Sequence, residues 1–440
     1  MIELSRRRVI LGAGALASSA LLGAPGLGGD SRAWAANQPF QPEKGAKLRL
    51  LRWSGFVQTG PEEAAFARQI NAFTATTGVD VAISYAPLDH VPYKAMLAAN
   101  IGAGPDLIWS LNDDAHLIPD KLVDVTDVAN HLGSRLGGWY PVAKDYGVYE
   151  GHWICLPFAI KGYCLNYRIS WLADAGFDQF PTDLDDFMRL AKRLKQRNRP
   201  IGLALGDAPS DANNWCYWLL WAFDGGVADR DGRVIINSPE TIRALEYVRE
   251  LYPHMVDGTL SWSDRDNNGA FLTGRVSCTN NPIVDYNKLV AEGNPMAADI
   301  DHAVFPLGRS GIPAEYQIMY PMMLFKYSRY PSAAKALMTF LMERPHYDAW
   351  LHDAAGYLTQ TLRAYESDPV WTEDPKRTVF REVAARSQSF AFPGLLCPAA
   401  SAVLADLIVV RMFAGAAAGR ETPKAAAEAA EKRIVRHFYG

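Results

Sequence analysis

The stretch Lys47-Leu48-Arg49-Leu50-Leu51-Arg52-Trp53, followed by Ser54-Gly55, decides the fold. It alternates apolar and basic residues and then breaks at a turn, so it reads as a strand whose C-terminal end opens into a loop. Pro61 follows at a helix start, with Glu62 and Glu63 in the first turn, where acids suit the helix dipole. Phe66, Ile70 and Phe73 supply the apolar stripe and Gly78 the stop. A second strand runs from Val79 to Tyr85, a helix from about Tyr93 to Ile101, and a short strand over Leu107-Ile108-Trp109. Strand–helix–strand–helix–strand predicts an α/β chain with a mainly parallel sheet.

The same grammar resumes after Gly162. Asp183 to Gln196 is amphipathic, Ile201 to Leu205 has the pattern of a buried strand, and Trp215 to Phe223 is an aromatic helix ending at Gly225-Gly226. Ser238-Pro239-Glu240 caps a helix reaching Leu251, and Ala-rich helices begin at Ala400. The 440 residues are too many for one typical core, which predicts two lobes. A net charge of −4 gives no general pull toward nucleic acid or anionic membranes.

The first residues are an address rather than fold. Arg6-Arg7 precede an apolar, Gly-interrupted run to about Leu27, and Ala33-Trp34-Ala35 offers small residues to a signal peptidase. Residues 1–36 therefore read as a twin-arginine export signal, leaving a soluble periplasmic chain. The first cysteine is Cys155, so no lipid anchor is expected at the cleavage site. With Cys164, Cys216, Cys278 and Cys397 the count is five; buried free thiols are the default reading, with Cys155 and Cys164 the one close pair.

The order of short motifs resembles the family 1 extracellular solute-binding proteins, the maltose-binding-like group. Gly104-Pro105-Asp106-Leu107-Ile108 is similar to its "GPDI" strand. Leu156-Pro157 with Leu165-Asn166-Tyr167-Arg168 resembles its "P…lyNk" segment with the Tyr-Asn order inverted. Ala175-Gly176-Phe177 with Pro181-Thr182, Gly225-Gly226 with Asn237-Ser238-Pro239-Glu240, Phe271 to Arg275, and Gly419-Arg420-Glu421-Thr422 complete the series. The resemblance spans nearly all of the mature chain. It implies a two-lobed periplasmic-binding-protein fold of type II with discontinuous lobes: 37–159 plus 317–355, and 160–316 plus 356–440. Crossings are expected near Ala159 to Lys161, Gly311 to Ile318 and Gly356 to Thr361. It also implies a monomer that captures a small carbohydrate and delivers it to the permease subunits of an ABC importer at the inner membrane, with no cofactor.

Strand ends and crossings then nominate the ligand contacts. Trp53 and Ser54 close the first strand, where an aromatic face suits a sugar ring. Asn112 and Asp113 follow the third, where a carboxylate accepts two hydroxyl hydrogen bonds. Tyr163 lies just past the first crossing beside Lys161, and Tyr320 just past the second. Asn213 and Trp215 stand at a helix entry, Asn281 follows the Phe271–Gly274 motif, and Gly356 marks the third crossing. Val284 and Leu407 to Val410 occupy places where oligosaccharide binders of this group carry aromatics, which favours a mono- or disaccharide or a polyol. Asp264 to Gly269 opens like a calcium loop, but Arg275 stands where the bidentate Glu is required; no metal site is expected. Two rivals remain: a secreted glycosidase, for which no carboxylate dyad is evident, and the same fold holding a polyamine, an organic anion, a phosphosugar or a metal chelate.

Overall fold

The computed structural model describes residues 38–54 and 60–440. The export signal, with Arg6 and Arg7, lies outside the described residues. The elements below belong to one compact unit, Pro39–Gly440.

The opening stretch forms β1, Lys47–Trp53, whose Leu48, Leu50, Leu51 and Trp53 are buried. Helix α1, Pro61–Thr77, starts at its proline and stops at Gly78, which takes φ 74° and donates its N–H to the Thr74 carbonyl. Strand β2, Asp80–Ala86, pairs in parallel with β1 from Lys47↔Asp80 to Trp53↔Ala86. Helix α2 (Val91–Ile101) leads to β3 (Leu107–Trp109), which is also parallel to β1.

Beyond β3 the sheet is not parallel. Strand β4, Leu156–Lys161, ends this sheet's first passage, and β5, Cys164–Arg168, begins another sheet after only Gly162 and Tyr163. There β5 lies between β6 (Cys278–Asn281) and β7 (Ile300–Ala303), antiparallel to both. The chain then returns as β8, Ile318–Leu324, which inserts between β3 and β4 antiparallel to each. A final strand, β9 (Leu358–Thr359), adds to the far side of β4, giving the order β9-β4-β8-β3-β1-β2. The expectation of a mainly parallel sheet is therefore corrected. A strand arriving directly from the other sheet enters from the opposite end, without a helical crossover, so it pairs antiparallel. The segment Gly356 to Thr361 runs along this sheet's edge: Thr361 donates its hydroxyl to the Pro157 carbonyl at 2.7 Å.

Around the second sheet pack α3 (Leu184–Gln196, capped by Asp183), α4 (Asp211–Ala222) and α5 (Pro239–Leu251, capped by Ser238). The Phe271 motif begins in a short helix, α6 (Asp266–Leu272). Ile201 to Leu205 is buried and extended beside β6, with the Gly202 N–H on the Cys278 carbonyl. The chain finishes in α7 (Pro398–Ala405), α8 (Ile408–Ala417) and α9 (Pro423–Tyr439).

Two passages between the sheets are tied side by side. The Gln317 carboxamide accepts from the Tyr163 N–H at 2.6 Å and donates to the Tyr163 carbonyl at 3.0 Å. Next to them Glu315–Tyr316 pairs with Ser387–Gln388, and Arg386 bonds Glu315 at 3.1 Å. All five cysteines are free thiols, four of them buried.

Candidate functional site

The cleft-side strand ends converge on a buried polar layer between the two sheets. Lys161 closes β4 with 8% of its surface exposed, and its ammonium nitrogen stands 5.0 Å from the centre of the Tyr163 ring. Asp211 enters from the first turn of α4 and is also buried. Burial, reinforced by the Asp264 charge, raises the Asp211 carboxyl well above the usual carboxylate range, against the pull of Lys161, Tyr163 and Asn267. Burial lowers the Lys161 ammonium in turn, while Asp211 and Asp264 oppose that shift. Asp264 accepts from the backbone N–H groups of Ser210 and Asp211 at 3.0–3.2 Å and so fixes the entry of α4. The loop that opens like a calcium loop thus spends its first carboxylate as a helix anchor. Among the described residues no group of His, Cys, Asp and Glu could hold a metal.

An amide cluster backs this pair. Asn280 donates to the Asp211 carbonyl at 2.9 Å and to Asn214 Oδ1 at 3.0 Å, and Asn267 donates to the Asn280 carbonyl at 3.0 Å. Asn281 pairs with Cys164 across β5–β6 and reaches Asp285 at 3.4 Å. Asp211 Oδ2 and Asn280 Oδ1 are buried with no hydrogen-bond partner among the described residues. Orphaned buried polar atoms are costly, and these two lie on neighbouring residues, Asn280 being bonded to the Asp211 backbone.

The aromatic side is formed by Trp53 and Tyr320, stacked at 4.2 Å and 18°. Trp109 meets Trp53 edge-on at 4.6 Å and donates its indole N–H to the Tyr320 carbonyl. The register of β8 slips between Tyr320 and Pro321; proline has no N–H for the ladder and is accommodated at such an irregularity. Behind Trp53, the Arg52 guanidinium lies 4.5–4.7 Å from the ring centres of Trp53, Phe66 and Trp109 and pairs with buried Glu62 at 2.8 Å.

The other nominated residues are placed as follows. Ser54 donates its N–H and hydroxyl to the Ala86 carbonyl. Asn112 takes φ 42°, which asparagine tolerates, accepts from the Met319 N–H at 3.1 Å and donates to the Tyr316 hydroxyl at 2.9 Å. Asp113 accepts from the Ser401 hydroxyl of α7. Asn213 donates to the Pro209 and Leu404 carbonyls. Trp215 is fully buried, its indole N–H on the Ala204 carbonyl and its ring against Phe413. Gly356 takes φ 83° beside Ile283. The structure thus brings Lys161, Tyr163, Asp211, Asn281 and Tyr320 to one layer and gives Trp215 to the core of the second sheet's helices. Asp211 and Asp264 were not nominated from sequence; the polar run Asp211-Ala212-Asn213-Asn214 ahead of an aromatic helix was the available signal.

The neighbouring carboxylates Asp113 and Asp114 carry a pH dependence. Burial pushes Asp113 up to about 6, against the Ser401 hydrogen bond, and Asp114 up to about 7, against its bond from Ser110. The folded protein holds these protons more tightly than the unfolded chain. Their contribution is complete below pH ~4 and is lost as pH rises through about 6 and 7. The melting temperature is expected to fall between pH 5 and pH 8, and to fall less in Asp114→Asn, which keeps a neutral group of the same shape. Equal pH profiles for the two proteins would refute this.

Residues 68–379 match the family model described as bacterial extracellular solute-binding protein. This chain belongs to that family. The solute-binding protein is 21% identical over 288 residues, 62% of its length, to the "Probable ABC transporter-binding protein" of Deinococcus radiodurans, of which the match covers 67%. It is similar in fold to the cyclic α-maltosyl-1,6-maltose binding protein of Arthrobacter globiformis, with a TM-score of 0.75, 18% identity and coverage of 90% and 99% of the two chains. It is also similar to an ABC transporter solute-binding protein of Agrobacterium radiobacter K84 in complex with ribitol, with a TM-score of 0.72, 19% identity and coverage of 90% and 100%. The fold is the two-lobed α/β architecture of periplasmic binding proteins.

Proposed function

We propose that this solute-binding protein captures a neutral polyhydroxylated solute, a mono- or disaccharide, polyol or related sugar, and releases it unaltered to the permease of an ABC importer. The observation that carries this reading is the buried Asp211 carboxyl, whose Oδ2 is unpartnered among the described residues, together with the buried Lys161 ammonium whose charge acts on it. A sugar hydroxyl both accepts and donates, so one hydroxyl, or two neighbouring ones, can take a bond from the ammonium and give one to the carboxylate. Asp211 and Asp264 both face Lys161, which disfavours a phosphosugar or organic anion, and Lys161 itself disfavours a polyamine. The ligands named for the two similar structures, a cyclic maltosyl-maltose and ribitol, point the same way.

In this reading the two sheets are the cores of lobes 37–159 plus 317–355 and 160–316 plus 356–440, with β9 extending the first. Closure about the passages at Tyr163 and Gln317 presents the loaded form to the permease. The working protein is a periplasmic monomer without cofactor or catalytic group, exported through the signal at Arg6-Arg7. The test starts with protein purified from the periplasmic fraction, where N-terminal sequencing finds residues 1–36 removed. A thermal-shift panel of sugars, polyols, sugar phosphates and polyamines then finds stabilisation by neutral polyhydroxyl compounds, and none of them is hydrolysed. Stabilisation by phosphates or amines alone, or turnover of a glycoside, would overturn the assignment.

A further inference from the structure

A groove of about 710 Å³ opens between α8 and α9, walled by the loops at Gly206 and Leu260. Its floor is apolar: Ile408 and Met412 from α8, Ala426 and Ala430 from α9, all buried. The wall loops are locked together. A Cβ on Gly206 would stand 2.6 Å from the Trp262 carbonyl oxygen and 2.9 Å from that of Leu260. The groove is in the size range of small-molecule sites.

Three arginines line it: Arg411 from α8, Arg420 from the turn, and Arg433 from α9, all exposed. None forms an ion pair among the described residues, although Lys424 and Glu428 on α9 do. Two carboxylates, Glu421 and Asp207, also line the groove and leave a positive surplus. Glu421 is seated over α8: a Cβ at Gly415 would lie 2.6 Å from Glu421 Oε2, so glycine there makes room for that carboxylate.

We propose that this groove is a second ligand site, distinct from the polar layer between the sheets, for a small amphiphilic anion: a carboxylate or phosphate head on an aliphatic body. The head meets the guanidinium forks, which match planar oxyanions bidentately. The body covers the alanine, isoleucine and methionine floor. The mature protein is titrated calorimetrically with octanoate and with octyl phosphate; octyl glucoside serves as the uncharged control and inorganic phosphate as the head alone. One anion at least binds with 1:1 stoichiometry, and the two affinities compared identify the preferred head. Arg411→Gln/Arg433→Gln weakens it by about tenfold or more. Ala430→Trp, which fills the floor, abolishes it, and Asp211→Ala leaves it unchanged because that residue serves the other site. The exposed arginine pair leaves the melting temperature in place, so lost binding is not lost fold. Absence of binding by both anions, equal binding of octyl glucoside, or full affinity in the arginine variant overturns the proposal.

Discussion

Asp211→Ala is expected to weaken capture of the cognate neutral solute by about tenfold to a hundredfold, the value of a hydrogen bond to a charged group converted to affinity. Lys161→Met is expected to match it. The two act on one group of hydroxyls, so the double variant should lose less than the product of the single losses. Stability separates a binding role from a structural one. Burial is the main reason the Asp211 carboxyl is raised, so its removal relieves a desolvation cost. Lys161→Met alone removes the positive charge that favours ionised Asp211 and lowers the melting temperature, whereas the double variant restores it. Wild-type affinity in both single variants, measured by calorimetry, would move the site away from this pair.

Gly308→Ala is expected to be the most damaging single-methyl addition in the second sheet's surroundings. A Cβ there would lie 1.6 Å from the Ala222 carbonyl oxygen and 2.5 Å from its carbon, at the last residue of α4. Backbone atoms cannot swing aside as a side chain does, so the end of an entirely buried helix must shift, at a cost of about 3 kcal/mol or more. Gly269→Ala is the control. Apart from its chain neighbours and the backbone of its own helix, α6, nothing lies within 4 Å of its Cβ position, and alanine there gains up to ~1 kcal/mol in helix propensity. Guanidinium denaturation should give a clearly lower midpoint for the first and an equal or higher one for the second. Coincident curves would show that the Ala222–Gly308 contact relaxes freely.

The strands and helices up to Trp109 were legible because each is a local pattern with its own stop signal. Strand β8 was not. Ile318 to Leu324 is apolar throughout and contains Pro321, a residue that argues against a central strand, yet it fills the middle of the six-stranded sheet. Its position follows from pairing with β3 and β4, more than 150 residues earlier, which no local period encodes. The site divides in the same way. Tyr163, Asn281 and Tyr320 could be nominated because they adjoin strand ends or crossings. Asp211 could not, because an acid at a helix start reads as a dipole complement, and Asp264 sat in a loop that opens like a calcium loop but fails at Arg275. The aromatic run around Trp215 was ambiguous between core and cleft until all twelve residues of α4 proved buried.

The late insertion of β8 has a consequence during synthesis. Strands β3 and β4 do not pair with each other; β8 is the strand between them. Until residue 324 has left the ribosome, a nascent chain carries two interior strands with unpaired edges. At typical elongation rates that interval lasts on the order of ten seconds after β4 emerges. Open strand edges are where chains add to one another, so this chain should depend on cytosolic holding factors while it is being made. Truncations ending before Ile318 should aggregate where the full chain stays soluble.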